Sequence, residues 1–110
     1  MVEVRFRRDS QNRLSSLVAS GHAGWADAGE DIVCAAVAAL LQGAWLGLTD
    51  HARVAVEARR SNGELALRWP EADRGRADVE AIVATAELAV AQIARQYGDH
   101  VRCVVEAETG

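Results

Sequence analysis

Two side chains in this 110-residue chain have the chemistry of a base and a nucleophile. His22 and Cys34 stand twelve positions apart in the stretch SGHAGWADAGEDIVCAAVAAL. An unperturbed thiol with a pKa near 8.5 is only about 3% ionised at neutral pH, so a cysteine nucleophile needs a partner that takes its proton. An imidazole within hydrogen-bond reach does so and later protonates a leaving amine. Between the two lie Gly24 and Gly29 and the acids Asp27, Glu30 and Asp31. Three readings fit these residue types: a catalytic pair, part of a metal site, or a loop that enters an apolar helix whose cysteine is core. The metal reading is the weakest, because His22, Cys34 and one carboxylate make three ligands and no CxxC or HxxxH is present. No metal site is therefore expected.

The elements around the pair set its geometry. VEVRFRR alternates Val2, Val4 and Phe6 with Glu3, Arg5 and Arg7, which predicts a half-buried strand. DSQNR is a turn and LSSLVASG a second strand, so residues 2 to 20 read as a hairpin ending just before His22. A helix is expected from about Asp31 to Leu48, with Asp31 as its N-cap and Cys34 in its first turn. A helix N-terminus favours a thiolate by on the order of 1 kcal/mol, less than one pKa unit. Glu30 and Asp31 oppose it. The dipole alone is thus insufficient and His22 must supply the rest, with Asp31 or Asp27 orienting its ring. Gly21, Gly24 and Gly29 allow the loop of residues 21 to 30 to double back. Its composition offers few apolar anchors beyond Trp25, which predicts a loop that orders only when substrate binds.

Downstream, ARVAVEAR alternates Ala52, Val54, Val56 and Ala58 inward, SNG is a hairpin turn, and ELALRW returns with Leu65, Leu67 and Trp69 inward. A second helix is expected over Arg76 to Tyr97, with an apolar stripe of Val79, Val83, Ala86, Val90, Ile93 and Tyr97, capped by Gly98. VRCVVEA is a last strand, with Cys103 as core. The order β-β-α-β-β-α-β predicts an α+β two-layer sandwich with its helices on one sheet, spanning residues 1 to 110 as a single domain.

Composition narrows the function classes. Half the residues are hydrophobic and a quarter charged, as in a folded globular chain. All twelve basic residues are arginine, and the net charge is −4. Arg5, Arg7, Arg8 and Arg13 share one hairpin, a pattern more common on a solvated strand face than in a nucleic-acid site, so no direct nucleic-acid binding is required. Two cysteines with no secretory leader point to a reducing, cytoplasmic setting and free thiols. Residues 32 to 49 carry no charge, but Gln42, Gly43, Gly47 and many alanines make the run a buried helix and not a membrane span. So apolar a helix, with alanine-rich faces, predicts a homodimer.

The motif GHAG followed by GEDIVCAAVAAL resembles the signature of the ribosomal-processing cysteine protease (Prp) family, and the length and element order agree along the whole chain. The resemblance implies a homodimeric, cofactor-free cysteine endopeptidase that removes a short N-terminal extension from a large-subunit ribosomal protein, cutting after an aromatic residue. It implies His22 as catalytic base, Cys34 as nucleophile, Asp31 as a supporting acid, and Gly21 and Gly29 as the glycines framing the active-site loop. Position 38, usually a small polar residue such as serine, is Ala38. Around the site, Trp25 is placed to receive an apolar side chain. Asp27 and Glu30 are placed to attract a basic ribosomal tail. The alternative is a non-catalytic module that binds a ribosomal protein or an assembly intermediate, with Cys34 as a buried structural residue.

Overall fold

The computed structural model describes residues 1–21, 28–61 and 63–108, with the backbone alone for residues 28–31. Strands β1 (Val2–Arg8) and β2 (Leu14–Ser20) form the expected hairpin. Helix α1 (Ala28–Leu46) follows and widens into a π turn over Gly47–His51. Strands β3 (Glu57–Ser61) and β4 (Glu64–Arg68) form a second hairpin, α2 spans Ala77–Gln96, and β5 spans Val101–Ala107. The sheet order is β3-β4-β2-β1-β5. All neighbours are antiparallel except β1 and β5, which run parallel.

The period-two pattern of β1 works as its sequence requires. Val2, Val4 and Phe6 are buried towards the helices, with Leu17, Ala19, Leu65 and Leu67 beside them. On α1, Val33, Cys34, Val37, Leu41 and Ala44 face the same core, and Leu48 extends it. The helical stretch Ile32–His51 is long and apolar enough to cross a membrane by length and composition. Here one side of it packs on the sheet, as expected of a central helix. On α2, Val79, Val83, Ala86 and Val90 are buried, whereas Tyr97 ends the stripe 47% exposed. Trp69 is fully buried, and its indole N–H donates to the Leu14 carbonyl at 2.8 Å.

The other face of the sheet is polar, and several of the chain's arginines pair with acids. Arg5 pairs with Glu3 and Glu106, Arg7 with Glu106, and Arg68 with Glu108. Arg8 pairs with Glu87 and Arg13 with Asp9. The four hairpin arginines therefore form no free basic stripe, in keeping with a solvated strand face.

A buried ion pair fastens the β1–β2 turn. Asp9 accepts the backbone N–H groups of Gln11 and Arg13 and reaches Arg74 at 3.3 Å. The Asp9 and Arg74 side chains are only 8% and 6% exposed. Desolvation pushes the Asp9 carboxyl up, but the hydrogen bonds from Arg13, Gln11 and Arg74 outweigh it and hold its pKa at about 2.

Two expectations fail in detail. The third strand begins at Glu57 instead of Ala52, and all five of its residues are exposed. Ala52 and Val54 are buried, yet they lie in an irregular crossing where Arg53 takes a φ of +58°. Alternating burial without a strand neighbour thus imitates a strand. The helix also starts earlier than expected, with a consequence for the site.

Candidate functional site

One end of the sheet receives the chain that leads into α1. The register pairs Glu3 with Ser20 and Ser20 with Glu64, so Met1, Gly21 and Gly63 cluster at that end. The Val2 N–H donates to the His100 carbonyl at 2.8 Å, which brings the start of β5 to the same end. The Gly21 N–H donates to Gly63 O at 3.1 Å, fixing the exit of β2 against the β3–β4 turn.

Gly21 has a structural reason to be glycine. Its φ is +91°, a backbone region that L side chains rarely adopt, and a Cβ there would lie 2.3 Å from the Met1 carbonyl oxygen. No side chain fits both constraints. The residue directly before His22 is therefore held in one unusual conformation, which sets the direction in which the chain leaves the sheet.

Cys34 lies on α1 with its side chain 4% exposed, in the core cluster with Val33 and Val37. Because α1 begins at Ala28, the expected N-cap role of Asp31 does not hold: Asp31 lies within the helix, and Cys34 is its seventh residue, in the second turn. Gly29 and Glu30 are likewise helical, so the expected loop of residues 21 to 30 shortens at its far side. The sequence signal misled because Ala28 has high helix propensity, and the acids of a first turn mimic a cap. The macrodipole acts mainly on the first turn. It therefore does less for Cys34 than the expected position implied, and the need for a separate base grows. His22, Trp25 and Asp27 lie outside the described residues, as do the side chains of Glu30 and Asp31. The expected approach of His22 to Cys34, the orienting acid and the ordering of the loop on substrate lie there too.

The remaining titratable candidates stay apart. Cys103 packs partly buried against the core, where desolvation, with the Glu87 charge, pushes its thiol up and away from nucleophilic use. It forms no disulfide with Cys34. His51 is exposed on the π turn. Among the described residues, no three His, Cys, Asp or Glu side chains converge as a metal site would require.

A sequence profile of the family described as Cysteine protease Prp matches residues 1–102. The chain belongs to this family. It is accordingly a cysteine protease, and of its two cysteines Cys34 is the one that lies in the GEDIVCAAV stretch. A search of curated protein sequences returned no match. Among solved structures, it is similar to SMU.848 from Streptococcus mutans, with a TM-score of 0.89 at 23% identity over 98% of this chain and 96% of that one. It is also similar to the essential ribosomal processing protease Prp from S. aureus in complex with a substrate peptide, with a TM-score of 0.86 at 19% identity over 96% and 99% of the chains. The same S. aureus protease with a covalently linked product peptide gives a TM-score of 0.83 at 20% identity, over 96% and 99%. These likenesses establish the α+β fold with both helices on one sheet.

Two features of this region escaped the sequence reading. The close approach of Gly21 to Met1 depends on where β1 begins, which no local pattern encodes. The stacking of Arg60 over Trp45, with the guanidinium carbon 6.0 Å from the ring centroid, joins an edge strand to α1 across fifteen residues. Its only signal was an adjacent arginine pair on a strand.

Proposed function

We propose that this protease removes a short N-terminal extension from a large-subunit ribosomal protein, cutting after an aromatic residue, in the cytoplasm and without a cofactor. The observation that carries this reading is the family match through the GHAG and GEDIVCAAV segments. The S. aureus protein whose fold this chain shares is named as a ribosomal processing protease.

In this reading His22 takes the Cys34 proton, and the thiolate attacks the scissile carbonyl carbon. The C–N bond breaks, and the amine leaves with the proton from His22. His22 then deprotonates a water, which hydrolyses the thioester and restores the thiol. Asp31 supports the imidazole. Trp25 receives the aromatic side chain, and Asp27 and Glu30 attract the basic tail. Because Cys34 is 4% exposed, the substrate must reach it by moving what covers the thiol, which keeps the nucleophile quiet until the tail arrives.

The active form in this reading is a homodimer. Ile32 and Leu46 are 71% and 59% exposed on the outer side of α1. Between α1 and α2 runs a shallow apolar groove that includes Ala39, Gly43, Ala81 and Ile82. Small residues there permit close approach, and a second copy of α1 supplies the apolar partner. No membrane or nucleic acid is required.

The test is incubation of the purified protein with the ribosomal protein carrying its extension, read by mass spectrometry. A single cut after an aromatic residue is expected. An intact substrate alongside cleavage of an unrelated sequence overturns the substrate assignment.

A further inference from the structure

The β3 edge and α1 together frame a concavity that the chemistry at Cys34 leaves unused. It measures about 360 Å³ and is lined by Gln42, Trp45, Leu46, Thr49 and Arg60. Arg60 stacks over Trp45 and has no carboxylate partner among the described residues. Leu46 is 59% exposed beside it.

The edge of β3 has main-chain groups to offer at this place. The Trp69 N–H donates to Ser15 O, and the Gly21 N–H to Gly63 O, so residues 63 and 69 face β2. By alternation, Glu64, Ala66 and Arg68 face β3 and bond to Ser61, Arg59 and Glu57, their partners in register. The N–H and C=O groups of Ala58 and Arg60 therefore point to the open edge. An extended peptide adding there sends the side chain opposite Arg60 towards the face where Arg60 meets Trp45.

Trp45 is within reach of a short peptide from the nucleophile. Cys34 and Trp45 are eleven residues apart on α1, about three helical turns, so both lie on one side of the helix about 16 Å apart along its axis. An extended chain covers that distance in roughly five residues.

Resting on the proteolytic reading above, we propose that the Trp45–Arg60 concavity is a substrate subsite. It holds an apolar side chain of an extended peptide about five residues from the scissile bond, while the β3 edge bonds the peptide main chain. The arrangement explains why an exposed edge strand carries a tryptophan-stacked arginine: the ring gives an apolar floor and the guanidinium a donor for a peptide carbonyl.

The test uses Cys34→Ala protein and two fluorescent peptides spanning the cleavage sequence, one with about three residues on each side and one with about eight. Binding is read by anisotropy, and cleavage of the same peptides by the parent is read separately. The parent sequence should prefer the long peptide, and Arg60→Ala and Trp45→Ala should each lower the long-over-short affinity ratio about tenfold. In cleavage the loss should appear in KM for the long peptide. Trp45 packs partly on the core, so Arg60→Ala, at an exposed position, decides the matter if Trp45→Ala fails to fold. An unchanged long-over-short ratio in Arg60→Ala overturns the subsite even if cleavage is normal. Binding of the long peptide through Trp45 and Arg60 without any cleavage by the parent upholds the subsite and overturns the proteolytic reading. Binding of neither peptide overturns both.

Discussion

Gly21→Ala puts the architecture of the site to a quantitative test. Gly21 sits at a φ of +91°, and an added methyl would approach the Met1 carbonyl oxygen to 2.3 Å. Holding a non-glycine residue in such a sparsely populated region costs about 1–3 kcal/mol. Real Cβ atoms stay at least 3.0 Å from such an oxygen, so the backbone must yield by about 0.7 Å or more. That movement strains the bond from the Gly21 N–H to Gly63 O, worth about 1 kcal/mol net. Together these come to about 2–4 kcal/mol, or a fall in Tm of about 10–15 °C for a domain of this size. In the proposed mechanism activity should suffer separately, because His22 follows Gly21 directly in the chain and misplacing a catalytic group by about 1 Å costs about 100-fold. The assay is thermal denaturation of parent and variant, followed by kcat/KM on an extension peptide at a temperature where both are folded. A Tm within 2 °C of the parent and a kcat/KM within about twofold would refute the reasoning. It would show that the strand exit tolerates a side chain and does not aim the histidine.

Other expected outcomes are as direct. Cys34→Ala should abolish peptide cleavage while costing about 1 kcal/mol or less of stability, since it removes one small buried atom from the core; comparison of cleavage and Tm checks both, and retained cleavage excludes Cys34 as nucleophile. Asp9 has a folded pKa of about 2 against an ordinary 3.8, so its contribution is fully present above pH 4 and is lost as pH falls towards 2; urea titrations across this window should show Asp9→Asn with a flatter acid limb than the parent. Asp9→Ala, which leaves the 6%-exposed Arg74 side chain uncompensated, should cost about 3–5 kcal/mol at neutral pH by the same titration. Ala39→Arg, in the groove between α1 and α2, should convert a homodimer to a folded monomer of 11.8 kDa in sedimentation, whereas a monomeric parent would contradict the dimer.

What could be read from residues alone was whatever periodicity and local chemistry record. The strands of both hairpins, the two helices and their order follow from alternation in VEVRFRR and ELALRW and from the stripe of α2. Trp69 and Val79 were placed inside by their spacing. Errors arose where tertiary context overrides pattern. Ala52 and Val54 alternate like a strand because both are buried in an irregular segment bonded back to the π turn, with no strand beside them. Asp31 looked like a cap because an acid before an apolar run is one, yet the helix had already begun at Ala28. Tyr97 continued the α2 stripe in sequence, but the helix has left the core by then. At the site, the GHAG and GEDIVCAAV stretches were legible as the family's signature, and Gly21 as a glycine with a conformational role. That its Cβ would meet Met1, and that Arg60 would reach Trp45, required the fold, because each contact joins segments with no sequence relation.

The parallel pairing of β1 with β5 bears on when the enzyme comes into being. Arg5 bonds Glu106 across 101 residues of chain, and Val2 takes its partner from His100. Contacts of such high sequence separation form late, because loop closure must precede any gain from them. During synthesis β1 is made first and then waits, paired on one side only, until residues 101–107 have been made. Only then is Val2 tied down, and with it the neighbouring end of β1 that Gly21 packs against. Cys34 and the strand that leads to His22 are made before the last strand that completes this end of the sheet. In a protease folded this way, the end of the sheet that Gly21 packs against is set only once the last strand docks on β1.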